Sequence, residues 1–466
     1  MLQSSKNLGN SAVPTKNNSL PRQELSYKSD ITAELKERKL MQSKTLNKGV
    51  DKYLSTRGAA GAWNISGTSA HGFSGCVVIP ALAESASLSH TLKTLALNPI
   101  KTLSRFLILV VVNNRAAAAP EDMADNRTTL SALPEIAARY PQLQLGWVDA
   151  SSPGCELPAK AGGVGLARKI GLDLALGRLD YNAGDPLLIC LDADTLVRPD
   201  YLPALLAHFA QPASGAAIIH FLHQPGCTPA EDQAILHYEL FLRAYVLGLS
   251  KAGSPYGFHT VGSAMACRAS AYLKIGGMNN RMAGEDFYFL QQLSRTCGVS
   301  QVIGTVVHPS PRSSHRVPFG TGRSVSRQLA GEEAVRFYQP ECYKILQQWL
   351  ELVSACVDNE SSVLMVGAEN IHPELAEYLK TIDLDNTWDN LKKNNRSRDN
   401  LIKAFNGWFD GLKTMKLIHH LSDSVFPRCD PDEAMPELLE WSGVKSVTGI
   451  AQQLELLRKL QLGDDY

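Results

Sequence analysis

Leu187-Leu-Ile-Cys-Leu-Asp-Ala-Asp-Thr195 decides how the rest of this 466-residue chain reads. Five consecutive apolar residues suit a strand buried on both faces. The run stops at two carboxylates. In an extended chain residues i and i+2 point to the same side, so Asp192 and Asp194 aim at one point. Two anions so aimed repel unless positive charge lies between them. Hard divalent cations such as Mg²⁺ or Mn²⁺ favour such oxygen ligands. At about 4 Å and an effective dielectric near 20, two unit charges interact by roughly 4 kcal/mol, so an ion held there strongly assists departure of a diphosphate. A bare Asp-x-Asp also fits a solvated turn with a capping Asp. The buried strand in front of it favours a site.

Outward from this stretch, apolar runs alternate with helical patterns. Cys76-Val-Val-Ile-Pro80 is a short buried strand ended by proline, and Phe106 to Val112 is a second, ending in Asn113-Asn114. Leu143 to Val148 reads as a third, with helices over Ser87 to Leu97 and Gly165 to Leu176. This alternation predicts an α/β fold with a mostly parallel, covered sheet. Ligands of such sheets lie beyond the carboxyl ends of the strands, where Pro80, Asn113 and Asp192 fall.

Two later stretches carry chemistry. In Gly284-Glu-Asp-Phe-Tyr-Phe-Leu290, two acids precede an apolar helical run. Acids in a first turn serve as caps, and a carboxylate there is also a candidate general base for an incoming hydroxyl. His308 follows the β-rich run Gln301 to Val307 and can complete a metal site. Arg312, Arg316 and Arg323 after it are candidates for holding phosphate or an acidic acceptor. Beyond Ser324 the pattern turns helical, over Glu332–Val357, Pro373–Ile382, Thr387–Ser422 and Val447–Leu462. There Trp388, Leu391, Leu401, Phe405, Trp408, Leu412 and Met415 read as core.

Lys+Arg and Asp+Glu both total 46, so the chain is formally neutral, against a protein that coats nucleic acid. Residues 1–70 hold 11 basic and 5 acidic residues, a net +6, and the remainder balances them. That polar segment reads as partly disordered or helical, with a helix over Ile31 to Leu54. No apolar run approaches the roughly 20 residues of a membrane span, and the start, MLQSSKNLGN, lacks a signal-peptide core. The nine cysteines form no CxxC pair. A reduced, cytoplasmic protein is expected, with peripheral membrane contact left open. The boundaries expected are 1–70 for the basic extension, 71–325 for the sheet domain and 326–466 for the helices.

In order and spacing, residues 73 to 325 resemble the family-2 glycosyltransferases of GT-A fold. Val77-Val-Ile-Pro-Ala-Leu-Ala-Glu84 is similar to the family's opening strand and Pro-x-x-x-Glu turn. Val110-Val-Val-Asn-Asn114 resembles its base-contacting strand end, and Gly163-Val-Gly-Leu-Ala-Arg-Lys-Ile-Gly171 its Gly-x-x-x-Ala-Arg-Asn-x-Gly helix. Leu191-Asp-Ala-Asp-Thr195 matches the metal motif, His259 to Arg268 and Ile275 to Met278 the acceptor-side strand and Gly-Gly turn, and Gly284-Glu-Asp286 the motif that carries the base in inverting members. The chain departs from the pattern at Asn113-Asn114, where an acid is usual, at Lys169 in place of Asn, and at Thr296, where processive synthases have Trp.

The resemblance implies a nucleotide-diphospho-sugar transferase fold with an added C-terminal helical subdomain. It implies Asp286 as catalytic base and Glu285 at the acceptor. Pro80, Ala81, Glu84, Asn113, Arg168, Asp192 and Ala193 would bind the nucleotide sugar, and Asp194 and His308 the Mn²⁺ or Mg²⁺. The implied donor is a UDP- or GDP-sugar. The acceptor would carry a hydroxyl, on a saccharide, a lipid-linked molecule or a small molecule, with neither nucleic acid nor an integral membrane segment involved. A retaining transferase on the same fold, a nucleotidyltransferase and a catalytically silent nucleotide-binding scaffold remain as alternatives.

Overall fold

The apolar runs pair much as their composition predicts. In the computed structural model, which describes residues 41, 43–59, 61–211, 214–313, 320–332 and 334–462, β1 (Gly75–Ala81), β2 (Phe106–Asn113), β3 (Gln144–Ala150) and β4 (Leu187–Cys190) lie parallel in the order β3-β2-β1-β4. Every residue of β1, β2 and β4 is buried, as in a sheet covered on both faces. Four further strands follow: β5 (Leu196–Val197), β6 (Ala216–Phe221), β7 (Met265–Arg268) and β8 (Ser300–His308). They extend the sheet from β4 in the order β7-β6-β8-β5, with only β7 and β5 running against the rest. The fold is thus the α/β arrangement expected, a mixed, mostly parallel sheet flanked by helices.

Pro80 does not end its strand. It sits inside β1 opposite Val111, and the chain stays extended to Ala81. Pairing with β4 stops at Val78 opposite Cys190. Pro80 is therefore beyond the ladder on that side, where a missing N–H costs nothing.

The helix Val164–Leu176 covers β1 and β2 at close range. A Cβ on Gly171 would fall 2.4 Å from Val78 Cγ1 and 2.9 Å from Val111 Cγ2, so only glycine allows this approach. The 23-residue helix Pro229–Lys251, which no motif announced, joins the sheet to the C-terminal helices. Its Leu240 and Ala244 share a core with Trp349, Trp388, Phe405 and Phe409. The expected helix over Thr387–Ser422 is three: Leu384–Asn394, Arg398–Trp408 and Gly411–Ser424. Ser397 Oγ accepts from Asn400 N–H at 3.3 Å and Asp410 Oδ1 from Lys413 N–H at 3.0 Å, which restarts the helix twice.

Residues 43–57 are helical and press Val50 and Tyr53 into the sheet domain. Tyr53 Oη donates to Asp173 at 2.9 Å and accepts from Lys169 Nζ at 2.6 Å. Residues 1–40 of the basic extension, and His315 and Arg316, lie outside the described residues. No helix among the described residues is long and apolar enough to cross a membrane.

Candidate active site

Parallel pairing brings the ends of β1, β2, β4, β6 and β8 to one edge, and the sequence-singled residues fall there in two groups. Arg168 is the centre of the first. It projects from the second turn of the helix Val164–Leu176 and is 2% exposed. One arm of its guanidinium pairs with Asp192 and the other with Glu285. Burial alone would discharge it, but Asp192 and Glu285 hold it more firmly protonated than usual. Gly262 makes room: a Cβ there would meet the guanidinium at 2.5 Å.

Glu285 and Asp286 open the helix Glu285–Cys297. Burial pushes both carboxyls above their ordinary range, and the pull of Arg168 does not cancel it. Asp286 is half-buried, and its Oδ1 accepts from Phe287 N–H at 2.8 Å. Glu285 is 3% exposed and turned to Arg168.

Arg312 builds the second group. Its Nε donates to Asp194 Oδ2 at 3.0 Å, one terminal nitrogen pairs with Glu84, and the other donates to Ser87 Oγ at 3.3 Å. The two carboxylates keep this guanidinium charged against partial burial. His308 ends β8 and faces Leu196 of β5 across the ladder. Its Nδ1 lies 3.1 Å from the Leu222 carbonyl, and burial depresses its pKa. A neutral ring donating from Nδ1 keeps the Nε2 lone pair for a metal. Gln224 fastens the two elements together: its Nε2 donates to the Asp194 carbonyl at 2.9 Å and to the His308 carbonyl at 2.7 Å.

The remaining expected residues are structural neighbours of these. Ala81 and Ala193 are buried, and the Ala193 carbonyl accepts from Thr91 Oγ1 at 2.8 Å. Asn113 Nδ2 donates to the carbonyls of Ala81 and Val111, at 3.1 and 3.0 Å, which ties the ends of β1 and β2. Pro80 lines the same edge from within β1. Among the described residues, no group of three or more His, Cys, Asp or Glu side chains assembles as a metal site. Gln224 was not foreseen, since a single Gln after an unmarked strand carries no signal. Arg312 was noted for its charge but not for its partners.

Residues 187–351, 165 of the 466, match the model of glycosyl transferase family group 2. A search of curated protein sequences gives no match. Among solved structures, TarS 1-349 of S. aureus in complex with UDP-GlcNAc is 13% identical, with 70% of this chain and 89% of that one covered and a TM-score of 0.35. The mannosyltransferase PcManGT from Pyrobaculum calidifontis, in complex with GDP-Man and Mn²⁺, is 14% identical over 94% and 99%, with a TM-score of 0.33. Glucosyl-3-phosphoglycerate synthase of M. tuberculosis is 14% identical over 58% and 85%, with a TM-score of 0.30. Scores this low carry no argument. The weight rests on the family match, which spans Asp192, Asp194, Glu285, Asp286 and His308: over residues 187–351 this chain is similar to glycosyl transferase family group 2.

Proposed function

We propose that the chain moves a glycosyl group from a nucleotide-diphosphate sugar to a hydroxyl acceptor, inverting the anomeric centre, with Asp286 as general base. One observation carries the reading. Arg168 ties Asp192 to Glu285, drawing the Asp-x-Asp turn and the Glu285-Asp286 turn to the same edge of the sheet. An inverting displacement needs a base on one side of the sugar and an assisted diphosphate on the other.

On the base side, the Asp286 Oδ1 is engaged by Phe287 N–H, so the acceptor proton would be received at Oδ2. Burial weakens this carboxyl as an acid, which makes its carboxylate the better base. Arg168 and Glu285 act together as a buried brace under it. On the donor side, the residues present suit a hard divalent cation. Asp194 offers a carboxylate and His308 an imidazole with its Nδ1 hydrogen tied down. A cation bound by so few side chains takes its other oxygens from substrate phosphates and water. When bound, it supplies charge against the departing diphosphate. Arg312, whose planar fork matches phosphate oxygens, would share its donors between Asp194 and the donor's phosphates.

The test is a pair of variants measured with UDP- and GDP-sugars. Asp286→Asn is expected to abolish transfer while sparing nucleotide binding, and wild-type turnover would remove Asp286 as base. Asp194→Ala is expected to lose Mn²⁺-dependent nucleotide binding in calorimetry, and undiminished binding would sink the metal assignment.

A further inference from the structure

The C-terminal helix Ile450–Leu462 packs along the helix Pro229–Lys251 and reaches the buried carboxylate of Glu239, which is 1% exposed. Arg458 donates to it twice, from Nε to Oε1 at 2.8 Å and from a terminal nitrogen to Oε2 at 3.0 Å. Arg243 Nε adds a third bond at 2.9 Å. The same carboxylate then holds the end of β6. His223 approaches Oε2 with Nδ1 at 2.8 Å and donates its backbone N–H at 3.2 Å. Arg243 also donates to the carbonyl of Phe221, the last residue of β6, at 2.6 Å. Gln461 fastens Arg243 in turn: it accepts from Nη1 at 3.0 Å and donates to the Arg243 carbonyl at 3.1 Å.

The four residues Phe221 to Gln224 are the shelf under the donor-side groups. Leu222 accepts from the His308 ring and donates its N–H to the Val307 carbonyl at 2.9 Å. Gln224 bridges the carbonyls of Asp194 and His308 and donates its own N–H to Pro309 at 2.9 Å. A continuous run of charged and hydrogen-bonded groups therefore leads from Arg458 to Asp194 and His308. A buried carboxylate needs its donors: with one removed it either rearranges or costs its desolvation. Burial would push the Glu239 carboxyl up, yet bonds from His223 and Arg458 and the charge of Arg243 hold it well below its ordinary value.

We infer that Arg458 is a positioning residue for sugar transfer, acting through Glu239 and the 221–224 shelf to set Asp194 and His308. This rests on the reading of those two residues as the donor-side ligands. The arrangement resembles the outer partners of metal ligands, whose loss costs about 10- to 100-fold in metal affinity or activity.

The test uses the full chain with Arg458→Gln, Arg458→Lys and, as a control, Leu457→Ala. Leu457 is fully buried in the same helix, in the core of the C-terminal helices, so its truncation loosens that helix by packing alone. Hydrogen exchange is read in the ligand-free protein, and affinity for UDP and for GDP with MnCl₂ by calorimetry. Arg458→Gln is expected to speed exchange over 221–225 and 306–309 and to weaken nucleotide–Mn²⁺ binding by about 10-fold or more. Arg458→Lys is expected to retain most of both. Unchanged exchange in these two segments overturns the inference. So does an affinity loss in Arg458→Gln no larger than in Leu457→Ala at the same loss of Tm. If Asp194→Ala leaves nucleotide binding intact, the donor-side reading fails, and the exchange arm still decides whether Arg458 sets the shelf.

Discussion

Arg168 and Arg312 show why the two acidic motifs should not be read as free carboxylates. Each guanidinium spans two acids that are remote in sequence, so the edge of the sheet carries its own compensation for negative charge. Among the described residues Asp286 is the acid of the site with no guanidinium in direct contact, and burial pushes its carboxyl up. Two consequences follow. The base form grows as pH rises through that raised value, so kcat/KM for transfer should climb above the ordinary carboxylate range; a profile already flat there removes Asp286 from the role. For stability the sign reverses. In the window between the unfolded and the raised folded pKa, the folded chain binds more protons, so stability falls as pH rises. Asp286→Asn should lessen that fall, as measured by urea melts across the window.

At the level of elements, the strands were legible because buried parallel strands are continuous apolar runs. Phe106 to Val112 and Leu187 to Leu191 allow no other reading of comparable length. The helix Val164–Leu176 was legible for its apolar spacing, and its closeness to the sheet depends on Gly171. Gly171→Ala is expected to destabilise: overpacking costs about 1–3 kcal/mol, against about 1 kcal/mol gained in helix propensity. It should also weaken nucleotide binding, because it lifts Arg168 away from Asp192. Thermal melts and calorimetry check both, and Val78→Ala in the same chain should restore part of the loss. What sequence could not reveal were β6 and the helix Pro229–Lys251. Neither carries a motif, and their meaning lies in Gln224, Glu239 and Arg243, whose partners stand up to 219 residues away. The candidate acids and His308 were visible by type and spacing. Arg168 and Arg312 were visible too, as contacts for the donor or its phosphates; that they hold Asp192, Asp194 and Glu285 became visible only when the fold supplied their neighbours.

Across the whole molecule, helices remote from the motifs grip the catalytic sheet by buried polar contacts. Lys169, which departs from the family pattern, is explained by this: it pairs with Asp173 at 2.8 Å and donates to Tyr53 of the 43–57 helix. Tyr53→Phe removes a hydroxyl that serves both partners, and leaving buried groups short of a bond costs about 1–3 kcal/mol. The expected result is a lower Tm with earlier proteolytic cleavage near residues 43–57, and unchanged cleavage would separate that helix from the sheet's stability. The grip at the other side has a consequence for the order in which the protein is made. The strands β1 to β4 can pair as soon as residue 190 has left the ribosome. Glu239 finds Arg243 and His223 close by in the chain, but Arg458, which donates to it twice, comes 219 residues further on. During synthesis the sheet can therefore form before the contact that braces its 221–224 end, which is completed only when the helix Ile450–Leu462 docks.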